Sequence, residues 1–87
     1  MAEKTQRLDI VTPERKVFSD DVRFVVVPGA AGELGFLPDH APLCSALKDG
    51  TVRVQQDGKE FKFTVSGGFV EVKNSRVVIL ADSAEQV

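Results

Sequence analysis

Short runs of alternating apolar and polar residues, separated by turn residues every few positions, constrain this chain more than any other feature. Alternation with a period of two places successive side chains on opposite faces of a β-strand. The runs are rich in Val and Phe, which favour strands, and most of them end at Gly, Pro, Asp or Asn. Many short strands at close spacing predict an all-β sandwich or barrel.

The expected strands lie at residues 7–11, 16–19, 22–27, 32–36, 43–47, 51–55, 60–65, 69–73 and 76–81. Turns are predicted at residues 19–21 and at Asp57-Gly58, a pair typical of tight hairpins. Two prolines close together predict an irregular segment at residues 38–42. Apolar residues that share a strand face give the predicted core: Leu8, Ile10, Phe24, Val26, Val52, Val54, Phe61, Phe63, Val70, Val72, Val78 and Leu80.

Composition excludes several classes of protein. Eighty-seven residues, of which 43% are hydrophobic and 28% charged, are typical of one small soluble domain. A net charge of −2 gives no attraction for nucleic acid or anionic lipid. One Cys and one His are too few for a disulfide framework or most metal sites, so no metal or other cofactor is expected. No apolar run approaches the roughly 20 residues of a membrane helix, and residues 1–9 lack the apolar segment of a secretory signal.

Residues 29–35 form a glycine-rich segment with the spacing G-x-x-G-x-x-G, which matches neither common phosphate-binding pattern. Pro38 and Pro42 follow too closely for the helix that a phosphate loop needs, and Glu33 would repel phosphate. Nucleotide binding at this segment is therefore not expected.

His40 is the single histidine, and no activated nucleophile accompanies it in the sequence. We expect its ring nitrogens to bond to nearby backbone in a rigid loop, with an exposed contact to a partner as the alternative. Cys44 is expected to be a small buried hydrophobe. The carboxylates Asp9, Glu33, Glu60 and Glu71 fall in separate strands and show no evident pairing.

Two aromatic features each have more than one interpretation. Phe61-Lys62-Phe63 resembles the aromatic and basic alternation of single-strand nucleic-acid binders, but the acidic composition favours a place in the core. Phe69 follows two glycines and shares a strand face with Glu71, opposite Val70. It is a candidate protein contact or a cap on the end of the sandwich.

The last residues change character. Asp82 with Glu85, or Ser83 with Gln86, fits a capping box, which is the start signal of a helix. The alternative is a disordered polar terminus.

The sequence also resembles a known family. Residues 28–43, PGAAGELGFLPDHAPL, resemble the signature of the epsilon subunit of the F-type ATP synthase, whose mitochondrial counterpart is called delta. Residues 8–13 with 17–19 resemble that family's opening strands, and residues 66–72, SGGFVEV, resemble its S-G-G-x-x-E-V stretch. Residues 78–82 resemble the strand that leads to its helices. These motifs span nearly the whole chain in order.

The resemblance implies a sandwich of two five-stranded antiparallel sheets in a non-catalytic rotor subunit of the central stalk. One side would bind the gamma subunit and one end would meet the ring of c subunits. Through gamma, ion-driven rotation would be coupled to ATP synthesis in the catalytic alpha/beta head. The implied location is peripheral, on the cytoplasmic face of a bacterial inner membrane (matrix or stroma side in organelles), reached only through the complex. The resemblance places Glu33, Asp39 and His40 at the ring-facing end, and Phe69 is the tentative contact for gamma.

Two departures from the family limit what is carried over. Typical members continue into a C-terminal helical hairpin that can inhibit ATP hydrolysis and in some bacteria binds ATP. Here we expect a β-sandwich over residues 1–82 and a stub at residues 83–87 where that hairpin would begin, so neither property is transferred. Asp39 stands where Gly is common, and Asp tolerates a left-handed conformation less well. A generic β-sandwich interaction module is the alternative function, while a small-ligand carrier or an enzyme lacks any site in the sequence.

Overall fold

The computed structural model describes residues 4–87, which form ten β-strands and no helix. The all-β prediction is thereby confirmed, and no helix that could cross a membrane occurs in this part of the chain. Residues 1–3, which open the predicted domain, lie outside the described residues. The strands are β1 Gln6–Val11, β2 Lys16–Val22, β3 Phe24–Gly29, β4 Gly32–Phe36, β5 Leu43–Ala46, β6 Gly50–Gln56, β7 Lys59–Ser66, β8 Phe69–Lys73, β9 Arg76–Leu80 and β10 Ser83–Gln86.

The strands form two five-stranded sheets, as predicted. The first sheet has the order β2-β1-β9-β8-β5 and the second has the order β10-β7-β6-β3-β4. The expectation of purely antiparallel sheets is wrong for one pair, because β1 and β9 run parallel. These two strands come from opposite ends of the chain, so no tight turn dictates an antiparallel direction between them.

The core lies between the sheets, and its largest side chains are Phe36 and Phe63, each 1% exposed. Phe18 packs edge-on against Phe63, with 5.4 Å between the ring centroids. Phe61 is partly buried against the same cluster, which supports the core interpretation of the Phe61-Lys62-Phe63 run. The other predicted core residues that are buried are Leu8, Ile10, Val52, Val54, Val70 and Val72.

The predicted strand at residues 22–27 is two strands with a break between them. β2 runs without a turn through residues 19–21 and ends at Val22, and Arg23 forms a bend whose N–H donates to the Gln55 carbonyl at 2.9 Å. The break reverses which residues point inward. Val25 and Val27 are buried, whereas the predicted core residues Phe24 and Val26 are half-buried on the outer face.

In β9 the core residues are also the opposite set from those predicted. The preceding turn aligns Arg76 with Lys73 and Val77 with Val72, so Val77 and Ile79 are buried. Val78 is half-buried and Leu80 is exposed. Because both faces of this run are apolar, alternation alone could not determine which face meets the core.

Residues 83–86 form β10, so both expectations for the tail, a helix start and a disordered terminus, are wrong. β10 pairs with β7 from Ser83↔Ser66 to Gln86↔Phe63, and Ala84 is buried. The sandwich therefore continues past the boundary predicted at Asp82. A single small inward residue is too weak a pattern to predict a strand.

The predicted turns and breaks are otherwise in place. The Asp57-Gly58 hairpin has φ angles of 47° and 76°, which suit a tight turn. Residues 38–42 form no strand. Of the two glycines after β7, Gly68 is required sterically: its φ is 108°, and a Cβ there would overlap the Leu80 carbonyl oxygen. Only glycine fits at this close approach.

Candidate interaction surfaces

Four apolar side chains form a row across the outer face of the first sheet. The strand registers align Val11 with Leu80, Leu80 with Phe69, and Phe69 with Ala46. We call these four residues the apolar row. Phe69 is 58% exposed and Leu80 is 53% exposed, although both are large hydrophobic residues. Phe69 lies opposite the buried Val70, as predicted, and its ring is on a sheet face.

A shallow depression of about 390 Å³ adjoins the apolar row. Contiguous exposed apolar surface with a concave rim is a feature of interaction sites. Phe69 was identifiable from the sequence as a candidate contact, whereas Leu80 was expected in the core. The residues that line the depression are Val11, Thr12, Pro13, Gly68, Phe69, Leu80, Ala81 and Asp82.

Beside the apolar row, the same face carries an ion-pair cluster around Asp9. The Asp9 side chain is 4% exposed and accepts hydrogen bonds from Ser19 Oγ at 2.5 Å and Arg76 Nη2 at 2.9 Å. Lys16 Nζ lies 4.0 Å from Asp9 Oδ1. The Ser19 hydrogen bond, with Arg76 and Lys16, outweighs burial and lowers the pKa of Asp9 below 3.8. None of these partners is a carboxylate, and they come from β2 and β9, so no pattern in the sequence placed them beside Asp9.

Glu33 lies on β4, beside the turn that joins β3 to β4. Its cross-strand neighbour is Pro28, and its carboxylate Oε2 lies 3.5 Å from Arg53 Nη2. Both side chains of this ion pair are largely exposed. Glu33 therefore has a surface ion-pair partner on β6.

Asp39 lies in the irregular segment after β4 and has φ 66°. Its backbone N–H donates to Ser75 Oγ at 3.0 Å, and Ser75 Oγ donates to Asp39 Oδ1 at 2.9 Å. Lys4 Nζ donates to Asp39 Oδ2 at 2.8 Å. The Lys4 and Ser75 bonds lower the pKa of Asp39 below its usual value. These contacts fix the aspartate in a left-handed conformation that would otherwise favour glycine.

His40 follows directly and is half-exposed. Its backbone N–H donates to the Leu37 carbonyl at 3.2 Å, and its ring Nδ1 lies 2.7 Å from the Ala41 carbonyl oxygen. The His40 ring meets the buried Phe36 ring edge-on, with 5.1 Å between centroids. The prediction that a ring nitrogen bonds to nearby backbone is confirmed for Nδ1.

The structure does not bring Glu33 together with Asp39 and His40. β4 begins at Gly32, paired with Gly29 at the hairpin turn, and its last residue pairs with Val25 at the other end. Glu33 therefore lies near one end of β4, and Asp39 and His40 follow its opposite end. Asp39 is bonded to Ser75, in the turn between β8 and β9 of the first sheet, so Asp39 and His40 lie where the chain crosses from one sheet to the other.

Cys44 is exposed on β5, so its predicted burial is wrong. It faces outward beside Glu71, while Leu43 and Ser45 of the same strand point inward and are half-buried. No cluster of three or more His, Cys, Asp and Glu residues that could hold a metal occurs within residues 4–87.

The chain is similar to known proteins over nearly its whole length. The profile described as "ATP synthase, Delta/Epsilon chain, beta-sandwich domain" matches residues 5–87. The chain is 72% identical over 83 residues to the ATP synthase epsilon chain of Desulforamulus reducens, covering 95% of this chain and 63% of the relative. It is 59% identical over 86 residues to the epsilon chain of Pelotomaculum thermopropionicum, covering 99% and 64%. The chain thus spans less than two thirds of the length of these relatives.

Solved structures show the same fold at lower identity. A chain in the Euglena gracilis mitochondrial ATP synthase has a TM-score of 0.89 and 24% identity, covering 94% of this chain and 53% of that one. A chain in the Tetrahymena thermophila mitochondrial ATP synthase central stalk and c-ring has a TM-score of 0.80 and 14% identity, covering 98% and 69%.

Proposed function

This chain belongs to the family of ATP synthase delta and epsilon chain β-sandwich domains, and we propose that it is a rotor domain of an F-type ATP synthase. In this role it is not catalytic. It sits in the central stalk, binds gamma and the c-subunit ring, and helps to couple ion-driven rotation to ATP synthesis in the alpha/beta head. It reaches the membrane only through the complex, on the cytoplasmic face of a bacterial inner membrane.

The observation that carries the proposal is the apolar row. Two large hydrophobic side chains, Phe69 and Leu80, lie side by side and more than half exposed on an otherwise well-packed sandwich. Burying each of them against a partner contributes about 1.5–3 kcal/mol. The adjacent carboxylate of Asp9 is already paired within the chain, so docking here does not leave that charge buried without a partner. We propose that this face binds gamma.

The polar contacts with the ring are proposed at Glu33, Asp39 and His40. Because Glu33 and the Asp39–His40 pair lie beyond opposite ends of β4, they form two separate contact points. Exposed charges such as Glu33, already paired with Arg53, contribute about 0–1 kcal/mol each to an interface. Such weak contacts suit a surface that meets the rotating c ring, because the affinity of the chain for gamma does not depend on them.

The test is co-purification with gamma, followed by addition of the c ring. We expect the chain to be retained by gamma alone, and Glu33→Ala and His40→Ala to be retained equally. Cross-linking from Glu33→Cys and from His40→Cys, each in a Cys44→Ser background, then reports which end of β4 meets the ring. Failure of the folded chain to bind gamma would support the alternative of a generic interaction module.

Catalysis and nucleotide binding by the isolated chain are not expected. The glycine-rich segment forms the turn and strand β4, and β4 does not precede a helix that could hold phosphate. Calorimetric titration with Mg-ATP should show no binding in the micromolar range. Micromolar binding would overturn the non-catalytic, cofactor-free assignment.

A further inference from the structure

We propose that His40 is held as the Nδ1–H tautomer and presents the lone pair of Nε2 to a hydrogen-bond donor of a partner subunit. The partner part of this inference rests on the proposed function. The tautomer rests on the chain's own geometry.

The tautomer follows from one short contact. His40 Nδ1 lies 2.7 Å from the Ala41 carbonyl oxygen. A carbonyl oxygen can only accept, so at this distance Nδ1 must carry the proton. In a neutral imidazole one ring nitrogen donates and the other accepts, which leaves Nε2 unprotonated.

Nε2 is open to the outside. The His40 side chain is half-exposed, and within residues 4–87 its only side-chain hydrogen bond is the one at Nδ1. Among residues 4–87, Gln6 Oε1 is the buried side-chain polar atom that lacks a hydrogen-bond partner. His40 Nε2 also lacks a partner but is not in that buried class, so it is accessible to solvent. In the neutral ring, Nε2 is therefore a hydrogen-bond acceptor that is accessible from outside the domain.

The ring is also held in place before any partner binds. It packs edge-on against the buried Phe36, and the His40 N–H closes a turn onto the Leu37 carbonyl. The preceding residue, Asp39, is tied to Ser75 and Lys4 by three hydrogen bonds. A preformed acceptor loses little side-chain entropy on binding. Its partner group must be an N–H or O–H donor, such as a backbone amide, an Asn or Gln amide, a hydroxyl or an ammonium group.

The tautomer can be measured without a partner, because His40 is the single histidine. Long-range ¹⁵N–¹H correlation spectra of the labelled chain, at a pH where the ring is neutral, distinguish protonated from unprotonated ring nitrogens. We expect a protonated Nδ1 and an unprotonated Nε2 in the folded chain, and loss of this preference in denaturant. A protonated Nε2, or an even mixture in the folded chain, would overturn the proposal.

The acceptor role is tested with variants against two probes, purified gamma and a gamma–c-ring subcomplex. His40→Gln places an amide oxygen near the position of Nε2, whereas His40→Phe keeps a ring without an acceptor. We expect both variants to bind gamma alone like the native chain. We expect His40→Gln to bind the gamma–c-ring subcomplex like the native chain and His40→Phe to bind that subcomplex roughly 2- to 13-fold more weakly, as for one neutral hydrogen bond. Equal binding of both variants to the subcomplex, with native binding intact, would refute the acceptor role and leave the proposed function standing. A native chain that binds neither probe would refute the proposed function, and the spectra would still report the tautomer.

Discussion

Phe69 of β8 and Leu80 of β9 are direct cross-strand neighbours on the outer face of the first sheet, and neither is covered by the chain itself. Cross-strand pairs on one face lie about 5 Å apart, so the two side chains form one continuous apolar surface. The close approach of Gly68 to the Leu80 backbone brings the β7–β8 connection against the same place. The sandwich thus fixes the geometry of this pair rigidly.

Replacing Phe69 with Ser should weaken binding to gamma without unfolding the domain. The side chain is 58% exposed, so its loss removes little of the folding free energy. Loss of about 1.5–3 kcal/mol of apolar burial corresponds to a roughly 10- to 150-fold weaker complex. Calorimetry or surface plasmon resonance with purified gamma gives the dissociation constants.

Leu37→Ser is the matched control, because Leu37 is 61% exposed but lies after β4, away from the apolar row. It should bind gamma like the native chain. If Leu37→Ser weakens binding and Phe69→Ser does not, the apolar row is not the surface that binds gamma.

Phe63→Ala should destabilise the domain by about 3–5 kcal/mol, because Phe63 is 1% exposed and packs against Phe18. Urea unfolding measured by far-UV circular dichroism reports the free energy of unfolding. Phe69→Ala provides the comparison within the same chain, and it should change that free energy by far less. Similar losses for the two variants would contradict the assignment of inner and outer faces.

Much of the fold was predictable from local pattern, and the exceptions have physical causes. Alternation in β6 and β7, with the Asp57-Gly58 turn between them, determines both the hairpin and its buried face. In β9 the apolar residues occupy both faces, so the register set by β8 decides that Leu80 points outward. The bend at Arg23 falls on the one charged residue of the run VRFVVV. An exposed Arg is also what alternation places on the outer face of a continuous strand, so the pattern does not mark the break.

For the candidate surfaces too, local pattern predicted some features, and others depend on contacts between strands that are distant in the sequence. Phe69 was identifiable because it is a large apolar residue out of phase with Val70. The pairing of Asp9 with Ser19 and Arg76 joins three strands, and only the parallel contact between β1 and β9 brings Arg76 near. The separation of Glu33 from His40 follows from β4, which matches the strand predicted at residues 32–36, whereas the resemblance placed both residues at one end.

Asp9→Asn should destabilise the native chain by about 1.5–3 kcal/mol at neutral pH, because the buried carboxylate accepts charge-assisted hydrogen bonds. The pKa of Asp9 is lowered in the folded state, so its contribution is present above the unfolded value near 3.8 and is lost as the pH falls through the folded pKa. The difference between native and variant should therefore shrink below about pH 4. Asp39 and Asp20 also have lowered pKa values, but they are common to both proteins and cancel in the difference.

Urea unfolding of both proteins from pH 7 to pH 2.5 measures this difference. Asp21→Asn is the control, since Asp21 is exposed and pairs with Arg7 only at 3.7 Å. It should have little effect at any pH. A stability difference for Asp9→Asn that stays constant across the acidic range would show that the carboxylate charge does not contribute.

Gly68→Ala should be among the most damaging small substitutions in the chain. At φ 108° an alanine is strained, and its Cβ would overlap the Leu80 carbonyl oxygen, which is backbone and cannot rotate away. We expect a loss of about 3 kcal/mol or more in the free energy of unfolding, with the β7–β8 connection displaced from β9.

Gly58→Ala is the matched control. The φ of Gly58, 76°, is also positive, but nothing lies within 4 Å of a Cβ there, so only about 1–2 kcal/mol should be lost. Thermal unfolding of the two variants separates conformational strain from steric overlap. Equal losses would mean that the overlap at Leu80 is relieved at no cost, and that the strands beside Phe69 are less rigidly placed than the geometry indicates.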